Sequence, residues 1–267
     1  MAILHCTPKI TDDLVRVHEQ YLVPAIYAQW AGRVAEIAEI EFGQHVLDVA
    51  CGTGTLSRAA KLETGLAGQV IGLDISDKML ESAQRKSRGI EWQIGDATSM
   101  PYEKNRFDRV LCQFSLMFID NRIAAIKEMR RVCKADGLIV VATWGQLHLS
   151  SAFGSLIKLV KQYCGSHAAM RLSSPWALGK SGMMDSMLLS SGVNEYECHE
   201  RFGQARYPSI RAFIEAHLRL AGEFDDLDER TLQELSSAAD LELHQFLLPD
   251  GELIAELNVN IFVIRPD

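Results

Sequence analysis

The stretch His45-Val46-Leu47-Asp48-Val49-Ala50-Cys51-Gly52-Thr53-Gly54 decides the fold, because it predicts a buried strand that runs directly into a glycine turn. A helical pattern follows the turn to about Leu62. Gly52 and Gly54 lack side chains, so a ligand can approach the backbone of the turn closely. In open α/β sheets, ligands bind where the carboxyl end of a strand meets the start of a helix. The segment therefore predicts both the architecture and the place of a binding site.

The same strand, turn and helix pattern repeats along the chain. Gln69 to Asp74 predicts a second strand, and Ser76 is placed to cap a helix that runs to about Lys86. Further patterns predict strands at Glu91 to Ile94, Phe107 to Leu111 and Leu138 to Thr143, and a helix from about Asn121 to Cys133. Strands that alternate with helices predict a parallel sheet with right-handed crossovers.

The segments on either side of this core follow different patterns. Apolar residues from Pro24 to Ile40 recur at helical spacing, with Pro24 suited to the first turn of the helix. After Trp144, helical patterns over 150–163 and 180–191 indicate an inserted cap. The last part of the chain predicts a strand at 194–207, helices at 210–221 and 227–246, and a final strand at 252–264.

Composition narrows the class of protein. The chain has 267 residues, 48% of them hydrophobic, which is enough to bury the core of one α/β domain. A net charge of -8, with acidic and basic residues interleaved, argues against a surface that neutralises phosphates, so we expect no nucleic-acid partner. The six cysteines form no CxxC pair and no zinc-like spacing, so we expect reduced thiols, no metal and a cytoplasmic protein. No apolar stretch is long enough to cross a bilayer.

Asp48 limits the chemistry of the ligand at the glycine turn. A dinucleotide fingerprint is met only loosely, since Ser57 stands at its third glycine position. Asp48 would also put a carboxylate just below the pyrophosphate, and like charges repel by roughly several kcal/mol in such a site. A ligand with a cationic ammonium group suits Asp48 better. Asp74, at the end of the next strand, can accept hydrogen bonds from a ribose diol.

Three motifs in order, Val46 to Gly54, then Gly72-Leu73-Asp74-Ile75-Ser76, then Gly95-Asp96-Ala97, resemble a class I S-adenosylmethionine-dependent methyltransferase. The likeness is to the ubiquinone/menaquinone-biosynthesis type and its small-molecule relatives, and it covers roughly Glu41 to Val141. It implies a Rossmann-like, doubly wound, mostly parallel sheet of seven strands, the last of them antiparallel. It also implies S-adenosylmethionine as the cofactor and S-adenosylhomocysteine as the product. Ala50 departs from the family, which often has glycine there.

The whole chain is then interpreted as a single methyltransferase domain. Its segments are a helical lid at 1–40, a cofactor-binding core at 41–146, an inserted cap at 147–192, and the last strands with a helical insertion at 193–267.

The resemblance also assigns roles to residues. Asp48, the Gly52 region and Gln113 would hold the methionine part, Asp74 the ribose, and Met79 and Asp96 the adenine. The predicted cofactor-binding set is Asp48, Ala50, Cys51, Gly52, Gly54, Asp74, Ile75, Met79, Asp96, Ala97 and Gln113. Alone, Asp74 or Asp96 equally predicts a helix cap, and a methionine such as Met79 is as often part of the core.

Candidates for the substrate side are fewer. Tyr21, Tyr27 and Trp30 on the lid, and Phe114 and Trp144 after two strands, are predicted to contact substrate or to close over it, although each equally suits core packing. His148, just beyond the fifth strand, is the candidate general base, and His217 is a more distant one.

The acceptor is inferred from motifs that are missing and from the composition of the cap. Cys112-Gln113-Phe114-Ser115 lacks the Asn/Asp-Pro-Pro-Tyr/Phe motif of nucleic-acid amino methyltransferases. The cap is rich in methionine, leucine and tryptophan, which suits an apolar or aromatic metabolite, methylated at carbon or oxygen, with nitrogen next. Two alternatives stay open: an NAD(P)-dependent oxidoreductase and a catalytically silent S-adenosylmethionine-binding protein. The sequence does not fix the oligomeric state.

Overall fold

A computed structural model describes residues 10–224 and 227–266 of the chain. Within these ranges, seven strands form a single sheet: β1 (His45–Val49), β2 (Gln69–Asp74), β3 (Glu91–Ile94), β4 (Phe107–Gln113), β5 (Cys133–Trp144), β6 (Tyr196–Tyr207) and β7 (Leu253–Ile264). Their order across the sheet is β3-β2-β1-β4-β5-β7-β6. Among these strands, β7 pairs antiparallel with both β5 and β6, and the other pairings are parallel. The predicted fold class, a mostly parallel seven-stranded sheet with an antiparallel last strand, is confirmed.

The central strands form the core because most of their residues are apolar and buried. The side chains of β1 after His45 are all buried, and Leu138 to Trp144 of β5 is equally buried. Such continuous burial is typical of parallel strands that helices cover on both faces. β1 lies between β2 and β4, so the strand order reverses at β1, and a crevice opens at the carboxyl ends of these strands.

The crossover helices of the core begin and end close to the predicted positions. They are α3 (Thr55–Thr64), α4 (Asp77–Lys86) and α5 (Arg122–Val132). Ser76 caps α4 as expected, since its hydroxyl accepts a hydrogen bond from the backbone N–H of Met79 at 3.3 Å. Asn121 caps α5 in the same way through the N–H of Ala124. Local capping chemistry therefore sets the start of both helices.

The N-terminal helix begins earlier than the sequence predicts. Helix α1 (Asp12–Val17) is capped by Thr11 and continues through a π-helical segment (His18–Tyr27) into α2 (Ala28–Ile37). Pro24 therefore lies inside the helix and not in its first turn, which corrects the prediction. Proline has no N–H to donate and so interrupts the hydrogen bonds of a helix, and Pro24 lies within the π-helical segment. The first nine residues of the predicted lid, with Cys6, lie outside the described ranges.

Arg109 of β4 fastens this N-terminal helix to the sheet. Its buried guanidinium donates to the carbonyl oxygen of Ala38 at 2.6 Å and to that of Glu39 at 2.8 Å. Glu39 has a φ of 49°, a left-handed conformation that disfavours a side chain other than glycine's. Arg109 thus holds a strained turn at the point where the chain leaves α2 and enters the sheet.

Two helical insertions cover the carboxyl edge of the sheet. The first holds α6 (Ser151–Tyr163), α7 (Gly165–Ser173) and a short 3-10 turn (Ser174–Leu178), and it is followed by α8 (Met183–Ser190). α7 was not predicted, because it is a short helix that begins with glycine and serine and borders a turn-rich stretch. The second insertion holds α9 (Ile210–Leu220) and α10 (Glu229–Glu242). α9 contacts α1 and α7, and α10 contacts α6, so both insertions share one cover.

α8 belongs to the crossover from β5 to β6 and not to the cover. It packs against α5, and Arg130 of α5 donates to the carbonyl oxygen of Ser191 at 2.8 Å. We therefore place the first part of the cover at 147–178, within the predicted cap of 147–192. The division of the chain into one domain with four segments stays a prediction.

Replacing Arg109 by methionine tests its role. The Arg109→Met variant keeps an unbranched apolar stem but leaves the carbonyl groups of Ala38 and Glu39 without their charged donor. We expect a loss of about 2–4 kcal/mol in the free energy of unfolding, because hydrogen bonds from charged groups contribute about 1.5–3 kcal/mol each and do not add fully. Urea denaturation measures the change. Arg85→Met, on the exposed face of α4, is the control and should change stability by less than about 0.5 kcal/mol.

Candidate active site

A cavity of about 600 Å³ opens at the carboxyl ends of β1, β2, β4 and β5. The loops after these strands form its floor, and the N-terminal helix, α7 and α9 form its roof. The structure brings together at this cavity most of the residues that the sequence singles out: Tyr27, Asp48, Ala50, Cys51, Gly52, Asp74, Ile75, Met79, Asp96, Ala97, Gln113, Phe114 and Trp144.

The glycine turn exposes its backbone to this cavity. Ala50 and Gly52 have φ angles of 53° and 55°, so the chain reverses sharply after β1. A Cβ atom built on Gly52 would meet no protein atom within 4 Å, and Gly52 lines the cavity. Gly54 does not line it. A Cβ on Gly54 would lie 2.2 Å from the ring of Trp92, so this glycine serves packing and the start of α3.

Asp48 is a buried acid at the floor of the cavity. Its carboxylate accepts a hydrogen bond of 2.6 Å from the hydroxyl of Ser57 and is 1% exposed. Burial raises the pKa of Asp48 to about 7, and the nearby charge of Asp74 adds to this, although the Ser57 hydroxyl opposes it. Ionised Asp48 is therefore a costly buried charge, which a cationic ligand group would stabilise.

Asp74 joins the loops that follow β1 and β2. One carboxylate oxygen accepts the backbone N–H of Gly52 at 2.8 Å, and the other accepts that of Ser76 at 2.9 Å. Burial raises the pKa of Asp74 from its usual value, and these two N–H groups act against the shift. Each carboxylate oxygen has a second lone pair, so the two oxygens can still accept hydrogen bonds from a diol in the cavity.

The outer end of the cavity is more apolar and more open. Ile75 is 74% exposed although it is a large hydrophobic residue, and Met79 beside it is half-buried. Asp96 lies exposed at the rim, where one carboxylate oxygen accepts both the backbone N–H and the hydroxyl of Thr98. An apolar surface next to an acidic acceptor fits a flat heterocycle with an amino group.

The end of β4 and the loop after it contain a buried polar atom without a partner, which the sequence does not show. Gln113 donates from its side-chain amide to the carbonyl oxygen of Tyr27 at 3.0 Å, which ties the N-terminal helix to the sheet. Its own Oε1 is buried and has no partner among the described residues. Ser115 donates to the carbonyl oxygen of Ala50 at 2.9 Å and holds the loop against the glycine turn. The unpartnered oxygen of Gln113, together with Asp48, favours a ligand that donates hydrogen bonds.

Several predicted residues lie away from the cavity. His148 is exposed on a short 3-10 turn and does not line it. Trp30 is fully buried and packs against Gly203 and the edge of Phe114, and Tyr21 packs against the core. These positions give Trp30 and Tyr21 a packing environment and place His148 in solvent.

The roof contributes residues that sequence reasoning missed or gave little weight. They are Leu14, His18, Leu22, Ile26, Arg171, Leu172, Pro175, Trp176, His217, Leu220 and Ala221. Helical spacing predicts that such residues share a face, but it cannot show which partner the face meets. Only the folding of α1, α7 and α9 over the sheet edge brings them to the cavity.

His18 is a buried neutral histidine in this roof. Burial, and secondarily the charge of Lys86, lowers the pKa of His18 to about 4. Its ring lies 4.8 Å from the ring of Tyr27, and its Nδ1 has no partner among the described residues. A histidine with such a pKa is uncharged near neutral pH and is a weak base.

The described parts of the chain contain neither a reactive thiolate at the cavity nor a cluster of metal-binding side chains. Cys51, Cys112, Cys133, Cys164 and Cys198 are free thiols. Burial raises the pKa of Cys51 well above its usual value, so it lines the cavity as a thiol and not as a thiolate. Residues 10–224 and 227–266 contain no group of three or more His, Cys, Asp or Glu side chains that could hold a metal ion. No helix in the same ranges is long and apolar enough to cross a membrane.

Comparison with known proteins finds similarity to methyltransferases. Residues 47–141 match the family described as a methyltransferase domain. Over 114 residues the chain is 38% identical to demethylmenaquinone methyltransferases of Staphylococcus saprophyticus and Staphylococcus carnosus. The match covers 42% of this chain and 49% and 47% of those relatives, so it spans about half their length.

Solved structures share the fold at low identity. A methyltransferase from an antibiotic biosynthesis pathway of Anabaena variabilis, described as putative, aligns with a TM-score of 0.64 at 16% identity, covering 91% of this chain and 98% of that one. The YcgJ protein of Bacillus subtilis aligns with a TM-score of 0.60 at 18% identity, covering 90% of this chain and 99% of that one. At these identities the likeness shows the fold alone.

The motifs, the strand order and the family match agree with one another. The buried acid of Asp48, the two-loop position of Asp74 and the unpartnered oxygen of Gln113 fit a ligand that has an ammonium group at one end and a ribose diol in the middle. Residues 47–141 of this chain are therefore similar to a methyltransferase domain, and the residues that line the cavity fit S-adenosylmethionine.

Proposed function

We propose that this protein transfers the methyl group of S-adenosylmethionine to a small apolar acceptor with an aromatic ring, at carbon or oxygen in preference to nitrogen. S-adenosylhomocysteine is the product. The observation that carries the proposal is a row of aromatic side chains that lines the same cavity as Asp48 and Asp74.

The aromatic row begins at the cofactor loops and ends in the cover. The Phe114 ring lies 5.2 Å from that of Trp144, and the Trp144 ring lies 5.0 Å from that of Trp176. Phe153 stands behind them, 5.0 Å from Trp176. Ring faces and edges at these separations make a rigid apolar wall that suits a flat acceptor. The relatives named for demethylmenaquinone methylation support the same class of acceptor.

The cofactor would lie along the floor of the cavity. Asp48 and Gln113 would take the ammonium end, Asp74 the ribose hydroxyls, and Ile75, Met79 and Asp96 the adenine. S-adenosylmethionine supplies a methyl group already activated on a sulfonium. The residues of this chain need only bind it, align the acceptor and exclude water.

A strong general base is absent from the histidines described at this site. His148 lies outside the cavity, and the lowered pKa of His18 makes it a weak base. We therefore do not assign His148 a catalytic role, and we expect the acceptor to be one that ionises easily or needs no proton removal before transfer.

The two alternatives make different demands. An NAD(P)-dependent oxidoreductase would place a pyrophosphate beside buried Asp48, which is electrostatically unfavourable. A catalytically silent protein would bind the cofactor in the same residues without turnover. The first is tested by calorimetry with NAD and NADP, for which we expect no binding, and the second by measuring methyl transfer.

Methyl-labelled S-adenosylmethionine tests the activity directly. We expect label to pass from the cofactor into an organic-soluble compound when the protein is mixed with a cell extract, and mass spectrometry identifies that compound. The Asp74→Asn variant is the control and should transfer less label when the cofactor is supplied near the dissociation constant of the wild type. Cofactor binding without any transferred label would favour the silent protein.

The two acids should differ from a neighbouring acid in their effect on binding. Asp48→Asn and Asp74→Asn should each weaken S-adenosylmethionine binding about tenfold or more, since a charge-assisted hydrogen bond is worth ~1.5–3 kcal/mol. Asp77→Asn, three residues from Asp74 but outside the cavity, is the matched control and should bind normally. Calorimetry measures all three affinities. Normal affinity in both site variants would refute the assignment.

Asp48 should make cofactor binding depend on pH. Because the ammonium group binds ionised Asp48, and the pKa of Asp48 is about 7 in the free protein, affinity should rise from pH 5.5 to 7.5. The slope should approach about tenfold per pH unit below 7. Asp48→Asn should remove this slope, and an identical pH profile in that variant would contradict the idea.

The same raised pKa makes the stability of the free protein fall as pH rises, whereas the affinity for the cofactor rises. Since folding raises the pKa of Asp48 from 3.8 to about 7, the free protein should lose stability as pH rises through that interval. Asp48→Asn should escape this loss, so thermal unfolding of the free variant at pH 7.5 should occur at a higher temperature than that of the wild type.

A further inference from the structure

A buried tyrosine and a buried histidine form a pair at the roof of the cavity. The hydroxyl of Tyr207, on β6, lies 2.9 Å from Nε2 of His217, on α9. Tyr207 is 1% exposed and His217 8% exposed. His217 lines the cavity, whereas Tyr207 lies behind it. Phe153, which stands behind the aromatic row, connects the row to this pair, since its ring lies 5.0 Å from that of His217.

The surroundings fix the direction of this hydrogen bond. In the described parts of the chain, the Tyr207 hydroxyl has no other partner than His217 Nε2. If Nε2 donated the hydrogen bond, the tyrosine's own proton would be buried without an acceptor, which costs roughly 1–3 kcal/mol. Tyr207 therefore donates its O–H to Nε2. Burial raises the pKa of Tyr207 well above its usual value, so the hydroxyl keeps its proton.

The remaining nitrogen of His217 then carries the ring proton. Burial lowers the pKa of His217 to about 3, and the rings of Phe153, Tyr207 and Phe213 surround it, so it is neutral near pH 7. A neutral imidazole whose Nε2 accepts a hydrogen bond has its proton on Nδ1. Among the residues that the structure describes, none bonds to Nδ1, and this atom is not sealed off as Nδ1 of His18 is.

We propose that Nδ1–H of His217, held by Tyr207, donates a hydrogen bond to an oxygen of the methyl acceptor, and so selects aromatic compounds that carry a carbonyl, quinone or phenolate oxygen. This inference rests on the proposed function, because it names the chemistry of the acceptor at the same cavity. It assigns His217 a role in substrate recognition and Tyr207 a positioning role. In this role His217 is not a general base, because its Nδ1 already carries a proton and its Nε2 accepts the hydrogen bond of Tyr207.

A pair of bicyclic probes isolates the oxygen. 1-Tetralone and tetralin share a fused ring system, but only 1-tetralone carries a carbonyl acceptor. We expect the protein saturated with S-adenosylhomocysteine to bind 1-tetralone about three- to tenfold more tightly than tetralin, as one neutral hydrogen bond allows. Calorimetric titration measures both. Equal affinities, or no binding of 1-tetralone, would overturn the proposal.

The matched variant removes both polar groups at once. His217→Phe combined with Tyr207→Phe leaves no buried hydroxyl or ring nitrogen without a partner, so it should fold with nearly normal stability. This double variant should lose the preference for 1-tetralone while keeping its affinity for tetralin and for S-adenosylhomocysteine. A preference that survives in the double variant would contradict the role of His217.

A spectroscopic measurement tests the tautomer without any acceptor. Nitrogen-15 NMR of the wild-type protein should show His217 with a protonated Nδ1 and an unprotonated Nε2, a signature that mere packing would not produce. Tyr207→Phe should shift the signals toward the other tautomer. An Nε2–H form in the wild type would overturn the proposal. If S-adenosylhomocysteine itself does not bind, the proposed function fails, and the NMR result still decides the tautomer.

Discussion

The carboxylate of Asp74 is the interaction on which the cavity depends. It accepts a hydrogen bond from one backbone N–H of the glycine turn after β1 and from another just after β2. These two hydrogen bonds hold the two loops in a fixed position relative to each other. The backbone reverses at Gly52 with a positive φ, and the carboxylate accepts the hydrogen bond of the N–H group at this reversal. The floor is thereby organised before any ligand arrives, so less ordering is required on binding.

Asp48 introduces an energetic conflict at the centre of this floor. A carboxylate that is almost fully buried, with one hydroxyl donor from Ser57, is stable mainly in its protonated form. A cationic ligand group reverses that balance by supplying the missing charge. The free protein thus carries an energetic cost at Asp48 that the proposed cofactor would relieve, and perturbed pKa values of this kind cluster at functional clefts.

The roof of the cavity follows a different physical logic from its floor. The floor uses carboxylates and backbone N–H groups, whereas the roof uses aromatic rings, apolar helix faces and neutral histidines. Burial keeps His18 and His217 uncharged, so they can act toward a ligand as dipoles and not as ions. Under the proposed function, the charged cofactor would lie at the floor and an apolar acceptor would lie against the roof of the same cavity.

Local patterns in the sequence predict the sheet, its crossover helices and the loops that form the floor of the cavity. Strand and cap signals around Asp48 and Asp74 are local, and the edge that carries them follows from the parallel order of the strands. Three features follow only from the tertiary structure: which residues form the roof, the position of Pro24 inside a helix and the exposure of His148. Packing of α9 against α1, α7 and the π-helical segment brings residues about 200 positions apart, such as His18 and His217, to the same cavity. Helical periodicity shows that a face is apolar but not which surface it meets, so no pattern could bring those side chains together.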